Sequence, residues 1–262
     1  MLRSLRLLVC VSLLLSGCAT LVPDIPPDAP AAGGAEPRDS WARVLQHYVD
    51  NRGRVDFAGL SRDRVDLDRY VAWIYTTGPD SQPKLFPTRQ HVLAYHLNVY
   101  NALAMYAVLD DGIPQSLAGL KKISFFLLKR FQIGGRRYSL YAYENDIIRA
   151  LGEPRVHFAL NCMSVSCPRL PREPFSGENL EAQLEQETRY FFADPSNVRV
   201  DNVDRAVHLS EILDFYTNDF LASAPTLIAY ANRYRAVPIP EGYAVKFIPY
   251  DWTINLQPPG HE

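Results

Sequence analysis

Residues 87–109 read PTRQHVLAYHLNVYNALAMYAVL, and this stretch decides how the rest of the chain can fold. Its proline and threonine favour the start of a helix. Apolar side chains such as Leu93, Leu97 and Tyr100 then recur at intervals of three and four residues. The turn residues around Gly112 end the pattern. The stretch therefore predicts one long helix that other elements pack around.

Three polar side chains, His96, Asn98 and Asn101, interrupt this apolar helix. They suit the core of a folded protein better than a lipid bilayer. Asn98 and Asn101 are three residues apart and share one face of the helix. Two buried asparagines on one face indicate either a polar network that braces a loop or one wall of a binding site. Both are candidate binding residues.

The remaining pattern predicts an α+β fold, a single, mostly helical domain with a small mixed or antiparallel sheet. Predicted helices lie at about 40–48, 62–75, 140–151, 180–191, 210–215 and 219–231. Predicted strands lie on either side of a Gly134–Gly135 turn and at 156–160, 198–200, 207–209 and 244–248.

The N-terminus predicts export and lipidation. Two arginines precede a short apolar run, which is typical of a signal peptide over residues 1–17. Residues 15–18 read LSGC, which resembles the bacterial lipobox, and this predicts that Cys18 carries the lipid. In the alternative, the segment is an ordinary signal peptide and Cys18 is incidental.

Residues 18–38 are rich in proline, alanine and glycine and predict an extended tether between the lipid and the domain at 39–257. Alanine follows Cys18, which favours the periplasmic face of an outer membrane. Membrane lipid, reached through acylated Cys18, is the expected partner. A net charge of −2 gives no reason to expect nucleic acid. The sequence indicates no cofactor and no metal.

The four cysteines have different expected fates. Cys10 leaves with the signal peptide and Cys18 carries lipid, so only Cys162 and Cys167 remain in the domain. Outside the cytosol, a lone pair five residues apart is most simply a disulfide.

A catalytic interpretation of the same segment competes with the disulfide. His157 lies within eleven residues of both cysteines, and Glu144 lies on the preceding predicted helix. A histidine can take the proton from a cysteine, and the thiolate attacks acyl carbons. Glu144 or Asn161 could orient the imidazole. Zinc binding is a third interpretation, although the spacing is not that of a standard finger, and inert thiols are a fourth.

Several ordered blocks resemble one family, the domain of unknown function 547. They are YHLNVYNAL at 95–103, YENDIIR at 143–149, PRVHFALNCMSVSCP at 154–168, LSEIL at 209–213 with the pair Asp219-Phe220, and YDWTIN at 250–255. The resemblance runs from about Gly53 to Asn255 and implies one domain. It departs at His96, where the family usually has an aromatic residue.

The resemblance supplies no reaction, but it marks positions. It implies a shared site formed by the predicted helices at 87–109 and 140–151 and by the segment that contains Cys162 and Cys167. The matching positions are Asn98, Asn101, Glu144, Arg149, His157, Cys162 and Cys167. Of these, Arg149 joins the two asparagines as a candidate binding residue.

Two functional hypotheses follow from the sequence. The first is a cell-envelope lipoprotein with a binding or structural role and a bridged cysteine pair. The second is a cysteine-dependent hydrolase or acyl transferase, in which Cys162 or Cys167 is the nucleophile and His157 the base. Glu144 would then orient the base or transfer protons.

Overall fold

The structure is a computed structural model, and it describes residues 20–21 and 37–258. The predicted signal peptide, Cys18 and most of the predicted tether lie outside the described residues. The lipidation of Cys18 therefore stays a prediction.

Helices, with their π-helical and 3₁₀ turns, form about half of the described chain. They are α1 (Pro37–Tyr48), α2 (Phe57–Arg62), α3 (Val65–Thr76), α4 (Arg89–Asp110), α5 (Leu120–Ile123), α6 (Leu140–Ala142), α7 (Leu180–Ala193), α8 (Ile212–Phe215), α9 (Thr217–Leu221) and α10 (Leu227–Asn232). Single π-helical turns extend α5 over Ser124–Leu128 and α6 over Tyr143–Ile148. Short 3₁₀ helices lie at Pro83–Leu85, Arg149–Leu151 and Pro154–Phe158.

The long predicted helix is α4, and it forms the centre of the larger core. The Thr88 hydroxyl caps its N-terminus by accepting a hydrogen bond from the N–H of His91. Among the described residues α4 alone has the length and apolarity of a membrane span, but 94% of that apolar window is buried inside the protein. The apolar sequence of α4 therefore serves packing.

Six short strands form two mixed sheets. The first has the order β1 (Thr20–Leu21), β2 (Arg130–Ile133) and β3 (Arg136–Tyr138), with β1 parallel to β2 and β2 antiparallel to β3. The second has the order β4 (Val198–Asp201), β5 (Ala206–Ser210) and β6 (Ala244–Ile248), with β4–β5 antiparallel and β5–β6 parallel. The α+β class and the hairpin around Gly134–Gly135 are confirmed.

Three sequence predictions need correction. A single sheet was expected, and the described residues form two. The apolar run at 156–160 is part of a 3₁₀ helix rather than a strand, because Pro154 starts the helix and the Glu153 carboxylate caps it. The helix expected over 219–231 is broken into α9 and α10, since Pro225 lies between them and the Thr226 side chain caps the second.

Two hydrophobic clusters meet at the 3₁₀ helix Pro154–Phe158. Val156 packs in the larger cluster around α4, whereas Phe158 packs in a smaller one formed by α7–α10 and the second sheet. The cysteine segment, residues 161–168, follows this 3₁₀ helix closely in the sequence. It therefore lies at the boundary between the two hydrophobic clusters.

His96, the position that departs from the resemblance, is buried in the larger cluster. Its Nδ1 lies 2.6 Å from the Tyr143 hydroxyl. Burial lowers the pKa of His96 to about 4, so the ring is neutral at neutral pH. It serves as a packing residue.

Candidate functional site

A cleft of about 620 Å³ opens where the two clusters meet. This volume lies within the range of small-molecule sites in proteins, about 300–1,000 Å³. The sequence segments that line it come from α4, the α5 and α6 regions, the cysteine segment, α8 and the C-terminal stretch before residue 258. Five predicted site residues line its wall: Glu144, Arg149, His157, Cys162 and Cys167.

The two cysteines lie side by side in this wall as free thiols. Their Sγ atoms are 2.6 Å apart, beyond the roughly 2.05 Å of a covalent disulfide. The structure contains no disulfide between Cys162 and Cys167, which the sequence predicted to be bridged. Cys162 is buried, and Cys167 is partly exposed.

Hydrogen-bond donors surround the Cys167 sulfur. The backbone N–H of Cys162 donates to it across 2.9 Å, and the Tyr250 hydroxyl lies 3.0 Å away. The Ser164 hydroxyl lies 3.4 Å away. Burial opposes ionisation, but the side-chain hydrogen bonds from Cys162, Ser164 and Tyr250 outweigh it and lower the pKa of Cys167 to about 7. A substantial fraction of Cys167 is therefore thiolate at neutral pH.

The neighbouring thiol behaves in the opposite way. Burial and the adjacent Cys167 raise the pKa of Cys162 well above its ordinary value. Cys162 therefore stays protonated and stands as a donor beside the Cys167 sulfur. At neutral pH the pair therefore combines a neutral Cys162 thiol with a Cys167 sulfur that is partly thiolate.

Asn101 holds the cysteine segment in place from α4. Its Oδ1 accepts from the N–H of Asn161 at 2.7 Å, and its Nδ2 donates to the carbonyl of Ala159 at 3.0 Å. The Asn161 side chain in turn accepts from the N–H of Met163 and donates to the carbonyl of Pro168, both at 2.7 Å. These bonds close the segment into a fixed loop.

Met163 lies between the two cysteines with φ of 70°, in the left-handed region. A non-glycine residue there costs on the order of 1–3 kcal/mol and persists only where its surroundings enforce it. Here the side chain is fully buried, and the Met163 carbonyl accepts from the N–H of Asn255 at 2.9 Å. The strained turn points the two sulfurs toward each other and the cleft.

Glu144 has neutral partners. The Tyr100 hydroxyl donates to its Oε2 at 3.1 Å, and the Tyr216 hydroxyl donates to its Oε1. Within residues 37–258 no basic side chain pairs with this carboxylate, although it is only 8% exposed. Two phenol groups thus fix the Glu144 carboxylate in the wall of the cleft.

His157 is oriented by Asp219 instead of Glu144. Its Nε2 lies 2.8 Å from Asp219 Oδ2, and its ring stacks on Tyr216 at 3.8 Å between centroids. Hydrogen bonds from His157 and Arg149 hold the pKa of Asp219 far below its usual range, so this carboxylate only accepts. His157 Nε2 must therefore carry the proton.

The structure does not form the predicted Cys/His pair. Among the described residues neither ring nitrogen of His157 hydrogen-bonds to a cysteine sulfur. Arg149, predicted as a binding residue, instead forms a two-pronged ion pair with Asp219, with distances of 2.8 and 2.9 Å. Arg149, His157 and Asp219 make one braced unit in the cleft wall.

Asn98 and Asn101 were also predicted as binding residues, but their side-chain amides form hydrogen bonds within the protein. Asn98 accepts from the N–H of Phe175 at 3.0 Å and from the indole of Trp41 at 3.3 Å, and donates to the Phe175 carbonyl at 2.8 Å. Neither asparagine lines the cleft. Of the two interpretations left open by the sequence, loop bracing is the one the geometry supports.

Sequence reasoning did not single out Tyr216, Asp219 and Tyr250. Asp219 lies in a block of the family resemblance, and Tyr250 opens another, so the blocks were the only available signal. No periodicity could predict the contact between Tyr250 and Cys167, since 83 residues separate them.

Within residues 37–258 no group of three or more His, Cys, Asp and Glu side chains could hold a metal ion.

These features define a class of protein: an α+β domain with a cleft whose wall contains a hydrogen-bonded cysteine sulfur. A family model described as "Protein of unknown function, DUF547" matches residues 85–192. The match covers α4, the β2–β3 hairpin, the cysteine segment and most of α7, and it supports the resemblance drawn from the sequence blocks there. Asp219, Tyr216 and Tyr250 lie outside it. No curated protein and no solved structure matches this chain.

Proposed function

We propose that this protein is a lipoprotein of the cell envelope whose cleft is the site of a cysteine-dependent hydrolase or acyl transferase. Cys167 is the nucleophile, and Cys18 carries the membrane anchor. The export signal and lipobox support the first part, and they favour the periplasmic face of an outer membrane. The observation that carries the second part is the set of donors around Cys167 Sγ in the cleft wall.

A thiolate held by hydrogen bonds does not need a histidine to remove its proton. The Cys167 sulfur attacks an acyl carbon, a C–S bond forms, and the bond to the leaving group breaks. The proton that the thiol lost ends on the leaving group. Water or an acceptor alcohol or amine then takes the acyl group from sulfur. Glu144 is the base positioned to take a proton from that acceptor.

A binding role is the second candidate, and the position of His157 favours it. In many cysteine hydrolases a histidine hydrogen-bonds to the catalytic cysteine. His157 instead hydrogen-bonds to Asp219 and stacks on Tyr216, so it does not take that role here. A protein that only binds a ligand would need the cleft and the braced wall without acyl transfer. The reactivity of Cys167 separates the two candidates.

We expect iodoacetamide to alkylate Cys167 of the full-length protein, in detergent and without reductant, with a rate that rises with pH. Because the thiolate is the reactive form, the half-maximal rate falls near pH 7, below the roughly 8.5 of an ordinary cysteine. Peptide mass spectrometry locates the label, and Cys162 reacts more slowly throughout. Labelling that requires prior reduction would mean a bridged pair and would remove the nucleophile.

We expect Cys18→Ala to abolish acylation of the chain in cells fed a clickable fatty acid and to release the protein from the membrane fraction. Cys10→Ala is the matched control, because Cys10 lies within the predicted signal peptide and is removed with it. A chain that stays labelled and membrane-bound after Cys18→Ala would contradict the lipoprotein assignment.

A further inference from the structure

An exposed apolar segment borders the mouth of the cleft. Residues 120–128, here called the mouth segment, comprise α5 and the π-helical turn after it. Leu120 is 84% exposed and Leu128 is 50% exposed, and both lie outside the cleft lining. Ile123 and Leu127 are also exposed and do line the cleft. One continuous apolar surface thus leads from the outside into the cleft.

Lys122 adds a positive charge at the same mouth. Its ammonium group lies 4.0 Å from the centroid of the Trp252 ring and 5.7 Å from that of Phe215. Among the described residues no carboxylate forms an ion pair with it, whereas its neighbours Lys121 and Lys129 pair with Asp111. A cation beside exposed apolar side chains complements an anionic group attached to a hydrocarbon chain.

The first sheet brings the start of the mature chain to this place. In β1, Thr20 pairs with Arg130, which follows the mouth segment by two residues. Cys18 is two residues before Thr20 in the sequence, so covalent geometry limits the distance between their Cα atoms to about 7 Å. A lipid on Cys18 would therefore enter the bilayer close to the mouth segment.

We infer that the mouth segment rests on the membrane and that the cleft takes its acyl group from an anionic phospholipid of that membrane. The inference rests on the proposed function, because it names the acyl donor of the same cysteine. The apolar path accommodates the acyl chain, and Lys122 meets the phosphate region. The ester carbonyl lies between the lipid headgroup and the acyl chain. It would therefore enter the cleft and approach the Cys167 sulfur.

The chemistry balances without any redox partner. The Cys167 thiolate attacks the ester carbonyl carbon, a C–S bond forms, and the C–O bond to glycerol breaks. The glycerol oxygen takes up the proton that the thiol had released, which yields a lysophospholipid. Water attacks the thioester, and the C–S bond breaks to give a fatty acid and the regenerated thiol.

The test uses the full-length lipoprotein reconstituted in vesicles of phosphatidylcholine with or without phosphatidylglycerol. Lysophospholipid release is measured by mass spectrometry, and p-nitrophenyl acetate added to the same vesicles reports reaction with a soluble ester. Leu120→Glu places a negative charge on the mouth segment. Val203→Glu is the matched control, because Val203 is 92% exposed at the β4–β5 turn and lies outside the cleft lining.

The expected result is release of lysophosphatidylglycerol, with Leu120→Glu lowering the ratio of lipid to soluble-ester rates at least tenfold and Val203→Glu leaving that ratio unchanged. If the soluble ester acylates Cys167 but the phospholipid is not cleaved, or both variants behave alike, the inference is wrong and the proposed function stands. If neither ester acylates Cys167, the proposed function fails and the inference fails with it.

Discussion

Cys167→Ser is expected to lower the rate of ester cleavage by on the order of 10³-fold or more, because loss of a nucleophile removes the covalent route altogether. Serine keeps nearly the same shape, so the loop and the cleft persist. Its hydroxyl does not ionise at neutral pH, and the surrounding donors then stabilise no anion. Hydrolysis of p-nitrophenyl acetate by the full-length protein in detergent, corrected for the variant's background, gives the ratio directly.

Cys162→Ser is the matched control for this substitution. The backbone N–H of Cys162 donates to the Cys167 sulfur across 2.9 Å, and a backbone group survives a change of side chain. The new hydroxyl can still bond to Ser164, which lies 3.1 Å from the present sulfur. We therefore expect Cys162→Ser to retain activity within about tenfold of the unchanged protein. Equal loss in both variants would point to a structural role for the pair.

Asn101→Ala is expected to destabilise the fold by about 2–5 kcal/mol. The substitution leaves the carbonyl of Ala159 and the N–H of Asn161 buried without their partner, and each unmet group costs about 1–3 kcal/mol. Asn101 is 1% exposed, so water cannot easily replace the amide. A shift of the chemical-denaturation midpoint with an unchanged slope measures the loss.

Asn218→Ala serves as the control for this change, because Asn218 lies exposed on α9. It should alter stability by less than about 0.5 kcal/mol. A small effect of Asn101→Ala, similar to that of the control, would show that the cysteine segment does not depend on α4. The pKa of Cys167 should also move toward its ordinary value in Asn101→Ala, since the loop that presents its donors would loosen.

The sequence predicted the fold class, the long central helix and the hairpin because these depend on local periodicity and turn residues. It failed at 156–160, where an apolar run favoured a strand but Pro154 and the Glu153 cap started a 3₁₀ helix. It failed again at 219–231, where the apolar pattern concealed the break at Pro225. In both places a proline outweighed the apolar pattern.

The candidate site was predictable in part. The short spacing between His157, Cys162 and Cys167 predicted that they could form a site. These three residues line the cleft, together with Glu144 and Arg149. The partners that determine their chemistry come from distant segments. Tyr250 lies 3.0 Å from the Cys167 sulfur, and Asp219 is the hydrogen-bond partner of His157. Such contacts depend on tertiary packing between distant segments. The spacing of residues in a single sequence does not predict them.

The central claim is that the Cys167 sulfur becomes acylated. The most direct measurement is the intact mass of the full-length protein quenched in acid within seconds of mixing with p-nitrophenyl acetate, followed by peptide mapping. We expect one added acetyl group on Cys167, which hydroxylamine removes and which Cys167→Ser lacks. An unchanged mass, or an acetyl group placed equally on exposed lysines and absent from Cys167, would contradict it.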